Sequence, residues 1–296
     1  VPLEIGVGIQ TGRRDGQDRH GRMFRDREFD ICEQSLSSYI IAKSRGAKFT
    51  AAPVFPRRLF SQICFFVNRA SGIESPADLA GKRVGILSFQ TTLSVLAKGD
   101  LQQEYGVAWR DIHWFVQQAE ELALEGGVDI PIRRVPDGKS VGEMLVEGEL
   151  DAVILPNPSA TELSCPDQVK RLFDDPMAEC VRYFKKHGYS PIMHLMVFLE
   201  EVVDKAPWLP CVTMDMCDEA TQLTYEFYDD PNYSLLLFAH NELEHQREVL
   251  GKDPWPSGLA ANRANLERFI DFMVDQRLID APISVESLFH PSVVDT

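Results

Sequence analysis

Short apolar runs alternate with helical patterns along the chain, and this alternation limits the fold more than any other feature of the sequence. Apolar runs of strand length occur at residues 3–9, 29–32, 63–67, 84–86, 152–155 and 195–198. Patterns with helical spacing cover residues 36–44, 92–105, 141–147 and 260–276. Such alternation is typical of α/β proteins with largely parallel sheets. We therefore predict an α/β fold.

The middle of the chain has the pattern of one α/β unit inserted into another. The segment GIESPADLAGKRVGIL contains a short helix, a turn and the first strand of a new unit. Two further strands and helices follow before the first pattern resumes. The sequence thus predicts two lobes with a cleft between them, one formed by residues 1–82 and 189–296, the other by residues 83–188.

The formal net charge of −15 limits the classes of partner. Nucleic acids and anionic membranes require basic surface, and no apolar run reaches the length of a membrane span, so neither is an expected partner. Six scattered cysteines without a Cys-x-x-Cys pair indicate reduced thiols and a cytoplasmic location. The chain opens on the strand-like VPLEIGVGI, so we expect a further segment to precede it. The expected ligand is therefore a small anion. The sequence does not decide whether the chain forms a homo-oligomer.

Three predicted strands are followed directly by polar residues that begin a helix. These are Ser35 and Ser37 at the first junction, Ser88, Gln90, Thr91 and Thr92 at the second, and Ser159 at the third. In parallel sheets, ligands bind beyond the carboxyl ends of strands, where backbone N–H groups and hydroxyls can hold an anion. Such residues are also ordinary helix caps. Because the pattern recurs at three junctions on both predicted lobes, substrate binding explains it as well as capping does.

Several segments resemble the 4,5-dihydroxyphthalate decarboxylase family. They are EFDICEQSLSSYI, PVFPRRLF, SPIMHLMV and DPWPSGLAANRANLERF, together with the more general GIESPADLAGKRVGI. The resemblance implies the two-lobed fold of type II periplasmic binding proteins and a cofactor-independent decarboxylase of a hydroxylated phthalate or benzoate. Ser61 and Gln62 stand where the family carries an arginine–histidine pair, and Ser257 replaces a tyrosine. The identity of the aromatic acid therefore stays open.

Decarboxylation of such a ring requires an acid that protonates a ring carbon, a group for the ring hydroxyl and a clamp for a carboxylate. The resemblance implies His194 as the acid, whereas a lone histidine is otherwise more often a core residue. Arg58 is the expected clamp, since a guanidinium binds a carboxylate through two hydrogen bonds. Arg57 should then face the opposite way, into solvent. Glu33 is expected to orient His194 or to accept a hydroxyl proton, with helix capping as the alternative.

Three further interpretations complete the hypothesis. Trp255, between two prolines, should stack on the substrate ring or anchor the helix that follows it. The segment HNELEHQRE has the spacing of a helical metal site, but acidic helices produce such spacing by chance, and we predict no metal. A solute-binding protein that holds an aromatic or organic acid without transforming it would use the same fold and the same junctions, and it is the rival interpretation.

Overall fold

The computed structural model describes residues 19–124, 127–156, 165–232 and 234–296. Its α-helices are α1 (Arg19–Asp26), α2 (Leu36–Ser44), α3 (Thr92–Tyr105), α4 (Val141–Val146), α5 (Pro176–His187), α6 (Glu200–Lys205), α7 (Leu209–Asp229), α8 (Ala239–Leu250) and α9 (Leu259–Asp275). Its strands are β1 (Ile31–Ser35), β2 (Phe49–Arg58), β3 (Phe65–Asn68), β4 (Arg83–Ile86), β5 (His113–Val116), β6 (Arg133–Arg134), β7 (Ala152–Ile154), β8 (Val169–Arg171) and β9 (Ile192–Leu199). Within these residues no helix is both long enough and apolar enough to cross a bilayer.

The described strands form two sheets, which confirms the predicted α/β class. One sheet has the order β1-β9-β2, and β9 runs antiparallel to both neighbours. The other has the order β6-β5-β4-β7-β3-β8. In it the first four strands run parallel, whereas β3 is antiparallel to β7 and β8. The prediction of parallel strands therefore holds for the second sheet and is wrong for the first.

The chain passes from one sheet to the other earlier than predicted. The sequence pattern places β3 within residues 1–82, yet β3 pairs with β7 and β8 and belongs to the larger sheet. The first crossing therefore lies before Phe65 and not after residue 82, and the chain returns to the first sheet with β9. An apolar run shows that a strand forms but not which strand it pairs with.

Most predicted elements lie close to their expected positions. The helices α2 and α3 have the predicted bounds, α4 ends one residue earlier, and α9 is shifted by one residue at both ends. The predicted strand at residues 3–9 and the third polar junction, with Ser159, lie outside the described residues. The long helix α7 was not predicted, because most of its apolar side chains face solvent and its pattern has no clear core-facing stripe.

The helices α3 and α9 approach each other closely at Gly99. A Cβ atom added at this position would lie 2.3 Å from the ring of Phe272 on α9. The first ten residues of α3 are all buried, so the helix has little freedom to move away. The missing side chain at residue 99 therefore sets the distance between the two helices, and with it the position of α3.

We expect Gly99→Ala to destabilise the protein. Replacing glycine by alanine inside a helix normally stabilises by about 0.5–1 kcal/mol, but overpacking a buried contact costs about 1–3 kcal/mol. The clash with Phe272 should win and lower the free energy of unfolding, measured by urea denaturation, by about 1–2 kcal/mol. Gln103→Ala, at an exposed position of the same helix, is the control. If Gly99→Ala and Gln103→Ala unfolded with the same free energy, the ring of Phe272 would move aside without cost.

Candidate active site

Strand pairing gathers Glu33, His194 and Arg57 on one face of the smaller sheet. The Cα atom of His194 lies opposite Ser35 on β1 and opposite Arg57 on β2. Residues directly opposite in an antiparallel pair project from the same face. Glu33, two positions before Ser35, projects there as well. The central strand β9 thus collects side chains from both neighbours around its histidine.

His194 and Glu33 form a hydrogen-bonded pair. The Nδ1 atom of His194 lies 2.6 Å from Oε1 of Glu33. An ionised carboxylate can only accept, so Nδ1 carries the hydrogen in the neutral ring, and Nε2 is the atom left to exchange a proton with a ligand. Nη2 of Arg19 also lies 3.3 Å from Nδ1. A guanidinium only donates, so a hydrogen bond with Arg19 would require Nδ1 without a hydrogen, whereas the carboxylate of Glu33 requires Nδ1–H. The contact with Glu33 is the shorter of the two and decides the tautomer.

Two arginines compensate the charge of Glu33. Nη2 of Arg19 lies 3.1 Å from Oε2 of Glu33, and Nε of Arg57 lies 2.9 Å from Oε1. Burial alone would raise the pKa of Glu33, but the hydrogen bond from His194 and the two arginine charges oppose this and the pKa is lowered to about 2. Glu33 is therefore ionised at neutral pH.

Burial and neighbouring charge keep His194 neutral in the free protein. Burial lowers the pKa of His194, the charges of His20 and Arg19 lower it further, and Glu33 opposes them only in part. The His20 ring lies edge-on to His194, with 5.2 Å between ring centroids. Nδ1 of His20 in turn lies 3.0 Å from Oε1 of Gln34. A negative ligand placed beside His194 would raise its pKa and favour the protonated ring.

No pattern in the sequence indicated Arg19 or His20. Both belong to α1, which contacts β1 and buries Met23 in the core. Their segment, RHGRMFRD, has the basic, amphipathic character of a solvated surface helix. No spacing pattern connects them with His194, which is far away in the sequence. Only the folded chain brings them to the site.

The first two polar junctions meet beside this cluster. Oγ of Ser35 lies 2.9 Å from Oγ1 of Thr92, and Oγ of Ser37 donates to the backbone oxygen of Gln90 at 2.5 Å. The N-termini of α2 and α3 are therefore adjacent. All four residues are at most 6% exposed, however, and the three hydroxyls bond to one another or to backbone. Their role in binding substrate stays a prediction.

A carboxylate of the chain itself occupies the N-terminus of α3. Glu120 accepts hydrogen bonds from the backbone N–H groups of Phe89, at 2.7 Å, and Gln90, at 3.0 Å. Ser88 is buried next to them, and Thr91 is the N-cap residue of α3, as the capping alternative proposes. The loop just before α3 therefore binds an anion through its backbone, and in this structure that anion is Glu120.

Arg58 does not reach the cluster, contrary to the prediction. Its guanidinium donates to two backbone oxygens at 2.8 Å and to the side-chain oxygen of Asn262 on α9 at 2.6 Å, and the residue is 8% exposed. Arg57, expected to face solvent, instead contacts Glu33. Strand alternation indicates that the two arginines point apart, but not which of them faces the site. The contacts of Arg58 tie β2 to α9, and its role as the carboxylate clamp stays a prediction.

Trp255 also lies away from His194. Its Nε1 donates to the backbone oxygen of Phe55 at 2.7 Å, and its ring lies 6.0 Å from the guanidinium carbon of Arg58. It lines a cavity of about 930 Å³ beside α7, which none of the side chains around Glu33 lines. Stacking on a substrate ring and anchoring the start of α9 both stay predictions for Trp255.

The part of the chain that the structure describes contains no group of three or more His, Cys, Asp or Glu side chains placed to bind a metal ion. In α8, which contains the segment HNELEHQRE, Nε2 of His240 lies 3.5 Å from Oε1 of Glu244. Nδ1 of the same ring lies 4.0 Å from Asp229. These contacts have the geometry of exposed ion pairs.

The pairing of Glu33 with His194 predicts how the histidine responds to mutation. Glu33→Gln removes the charge that raises the pKa of His194 and replaces a charged acceptor by a neutral amide oxygen, so that pKa should fall further. The measurement is an NMR titration of the histidine rings, with His194→Asn to assign the signal. His187, which pairs with Glu104, is the control and should titrate as before. A pKa of His194 that stays constant or rises would contradict the pairing.

Comparison with protein-family models gave no match. Among curated proteins, a 4,5-dihydroxyphthalate decarboxylase of Comamonas testosteroni is 31% identical over 293 residues, which cover 96% of this chain and 88% of that protein. A 4,5-dihydroxyphthalate decarboxylase of Pseudomonas putida is 32% identical over 184 residues, which cover 60% of this chain and 71% of that protein.

Solved structures with the same fold include the periplasmic aliphatic sulphonate-binding protein SsuA of Escherichia coli, with a TM-score of 0.57, 14% identity and coverage of 93% of this chain and 84% of that one. DszB in complex with biphenyl-2-sulfinic acid has a TM-score of 0.55, 15% identity and coverage of 93% and 87%. At these identities the likeness shows the fold alone, which is that of the type II periplasmic binding proteins, as predicted. The sequence similarity, which extends over nearly the whole chain, shows more: the chain belongs to the 4,5-dihydroxyphthalate decarboxylase family.

Proposed function

We propose that this chain is a cofactor-independent decarboxylase of a hydroxylated aromatic carboxylic acid of the 4,5-dihydroxyphthalate type. The observation that carries the proposal is the pair of His194 and Glu33 flanked by Arg19 and Arg57, in a chain of the 4,5-dihydroxyphthalate decarboxylase family. A proton carrier next to two guanidinium groups suits an anionic substrate that must be protonated.

The reaction replaces a carboxylate on the ring by a hydrogen. A ring hydroxyl raises the electron density at the carbon that carries the carboxylate. A proton from the acid forms a C–H bond at this carbon, the C–C bond to the carboxylate breaks, its electron pair returns to the ring, and CO2 leaves. The protein must therefore deliver one proton per turnover and hold the leaving carboxylate out of the ring plane.

His194 delivers this proton from Nε2. Glu33 fixes the orientation of the ring through Nδ1 and stabilises the imidazolium when it forms. An anionic substrate raises the pKa of His194 as it binds, which loads the proton at the moment it is needed. Both oxygens of Glu33 already have partners, so its role is to orient the histidine and not to accept a hydroxyl proton.

Arg57 binds a carboxylate of the substrate. Its side chain is 57% exposed, against 24% for Arg19, so Arg57 can turn from Glu33 to a ligand while Arg19 stays paired. Arg57 and His194 are cross-strand partners, and the Cβ atoms of such a pair are about 4.5–5.5 Å apart. A carboxylate bound by Arg57 thus lies within reach of Nε2 of His194.

The cell compartment and the ligand class belong to the same proposal. All six cysteines are free thiols, which supports a reducing compartment such as the cytoplasm. The net charge of −15 supports a small anionic ligand held by local cations over nucleic acid or anionic membrane.

Release of CO2, followed by mass spectrometry, tests the activity. The metal-stripped chain is given a panel of hydroxybenzoates and hydroxyphthalates, and we expect release from at least one of them. His194→Asn should lower kcat at least about a hundredfold, within the 10²–10⁴-fold range of general acid catalysis. His113→Asn, at an exposed histidine of β5, is the matched control. An acid that raises the melting temperature without releasing CO2 would identify a solute-binding protein instead.

The two neighbouring arginines provide a matched test of the carboxylate clamp. Arg57→Ala should raise KM about tenfold or more and leave the melting temperature nearly unchanged, because exposed ion pairs contribute little to stability. Arg58→Ala removes three hydrogen bonds and leaves the buried Oδ1 of Asn262 without a donor, so it should lower the free energy of unfolding by about 2–4 kcal/mol. Steady-state kinetics and urea denaturation measure both. A raised KM in folded Arg58→Ala, with a normal KM in Arg57→Ala, would return the clamp to Arg58.

A further inference from the structure

A segment after β5 lies across the starts of α2 and α3. We call residues 120–123 the strap; they follow β5, a strand of the larger sheet. Oγ of Ser38, in the first turn of α2, donates to the carboxylate of Glu121 at 2.5 Å. Nη2 of Arg45, at the other end of α2, donates to the backbone oxygen of Ala123 at 2.6 Å. Since α2 follows β1 of the smaller sheet, the strap joins elements of both sheets.

The strap also covers the loop before α3. One carboxylate oxygen of Glu120 accepts from the N–H of Phe89 and the other from the N–H of Gln90, so both oxygens are bound by backbone. Nε2 of Gln90 donates to the backbone oxygen of Leu122 at 3.0 Å. Phe89 and Gln90 are at most 1% exposed. A ligand therefore cannot reach these two N–H groups while the strap is in place.

A buried lysine favours an anion on this loop. Lys98 of α3 is fully buried, and its Nζ donates to the backbone oxygen of Phe89 at 2.8 Å. Burial lowers the pKa of Lys98, and the charge of Glu120 opposes this effect. Removing an anion beside a buried cation is costly unless another anion replaces it. The loop therefore favours an exchange of one carboxylate for another over simple loss of Glu120.

The loop also contains a buried acceptor that has no donor. Oε1 of Gln90 has no hydrogen-bond partner among the residues that the structure describes. Buried polar atoms normally have a partner, and such an exception calls for an explanation. A ring hydroxyl of an aromatic acid can supply the missing hydrogen. The loop can thus bind both kinds of group that the proposed substrate carries, a carboxylate at the two N–H groups and a hydroxyl at Oε1.

The loop lies next to the candidate active site. Ser35, whose Cα atom is opposite that of His194, has its Oγ 2.9 Å from Oγ1 of Thr92, the first residue of α3. Arg57 is opposite His194 on the other neighbouring strand. A ligand held over His194 therefore has Arg57 on one side and the start of α3 on the other.

We propose that Glu120 is an internal competitor of the substrate, and that a substrate carboxylate displaces it and releases the strap. This inference rests on the proposed function. One carboxylate of a phthalate-type acid binds Arg57, and the second takes the two N–H groups from Glu120. The exchange keeps a negative charge beside Lys98. A monocarboxylic acid held by Arg57 leaves Glu120 in place, so the strap selects for dicarboxylic acids.

Isothermal titration calorimetry of the full chain with phthalate tests the competition, because phthalate lacks the ring hydroxyl that the reaction requires. Glu120→Ala should bind phthalate about tenfold more tightly than the wild type, since a site that is closed in roughly nine of ten molecules binds tenfold more weakly. Benzoate, with one carboxylate, should bind both proteins alike. Glu149→Ala removes an exposed carboxylate far along the chain from the strap. This control for net charge should leave phthalate binding unchanged.

Hydrogen exchange, followed by mass spectrometry, shows where the second carboxylate binds. In Glu120→Ala the N–H groups of Phe89 and Gln90 lose their acceptor. They should exchange about tenfold faster than in the wild type, as loss of one hydrogen bond implies. Added phthalate should restore the slow exchange, because its carboxylate takes the place of Glu120.

Three results would overturn the proposal. They are a Glu120→Ala variant that binds phthalate no more tightly than the wild type, an equal gain in affinity for benzoate, and phthalate binding that leaves exchange at Phe89 and Gln90 fast. Circular dichroism shows whether the variant is folded. If it is not, digestion of the wild type by a glutamate-specific protease decides. Phthalate should speed cleavage after Glu120 and Glu121, and unchanged or slower cleavage would contradict release of the strap.

The outcomes separate this inference from the proposed function. Release of CO2 from a hydroxyphthalate, together with any of the three contrary results, would overturn only the displacement of Glu120. Tighter phthalate binding and restored protection, without CO2 release from any acid of the panel, would overturn only the decarboxylase and leave a dicarboxylate-binding protein with an internal competitor.

Discussion

The carboxylate of Glu33 is the group on which the arrangement of the site depends. A largely buried carboxylate takes up a proton unless hydrogen bonds and cations stabilise its charge. His194, Arg19 and Arg57 supply this stabilisation, and each comes from a different element: β9, α1 and β2. The contacts that compensate the charge of Glu33 therefore position β9, α1 and β2 relative to β1. It also directs Nδ1 of the histidine inward and leaves Nε2 for a ligand.

Two adjacent arginines perform unlike tasks because a register shift in the β2–β9 pairing separates them. Arg57 is opposite His194 and exposed, so it can exchange one carboxylate for another. Arg58 is opposite Ile192, and its two Nη groups donate to acceptors that include Asn262 on α9. Burial lowers the pKa of Arg58 to about 10, which leaves it charged at neutral pH. In the proposed mechanism Arg57 binds the ligand, whereas the contacts of Arg58 tie the C-terminal helix to the sheet.

What could be predicted from the sequence is what local periodicity encodes. The bounds of α2 and α3 follow from apolar spacing and capping residues, and the family resemblance supplied His194 and Glu33. What could not be predicted depends on contacts between distant segments. The pairing of β3 with the larger sheet, the arrival of Arg19 and His20 with α1, and the carboxylate of Glu120 at the start of α3 all have this origin. None of them leaves a pattern in the residues themselves.

The departures from the family at Ser61 and Gln62 concern the packing around α3 and not the proton donor. Oγ of Ser61 donates to Oδ2 of Asp100 on α3 at 2.7 Å. Asp100 is fully buried, and burial raises its pKa to about 7 against the opposing effect of this hydrogen bond. An arginine–histidine pair at these positions would place cationic side chains near that carboxylate and favour its ionised form. The neutral side chains of Ser61 and Gln62 therefore affect the charge state of Asp100 on α3. His194 makes its hydrogen bond with Glu33, away from this carboxylate.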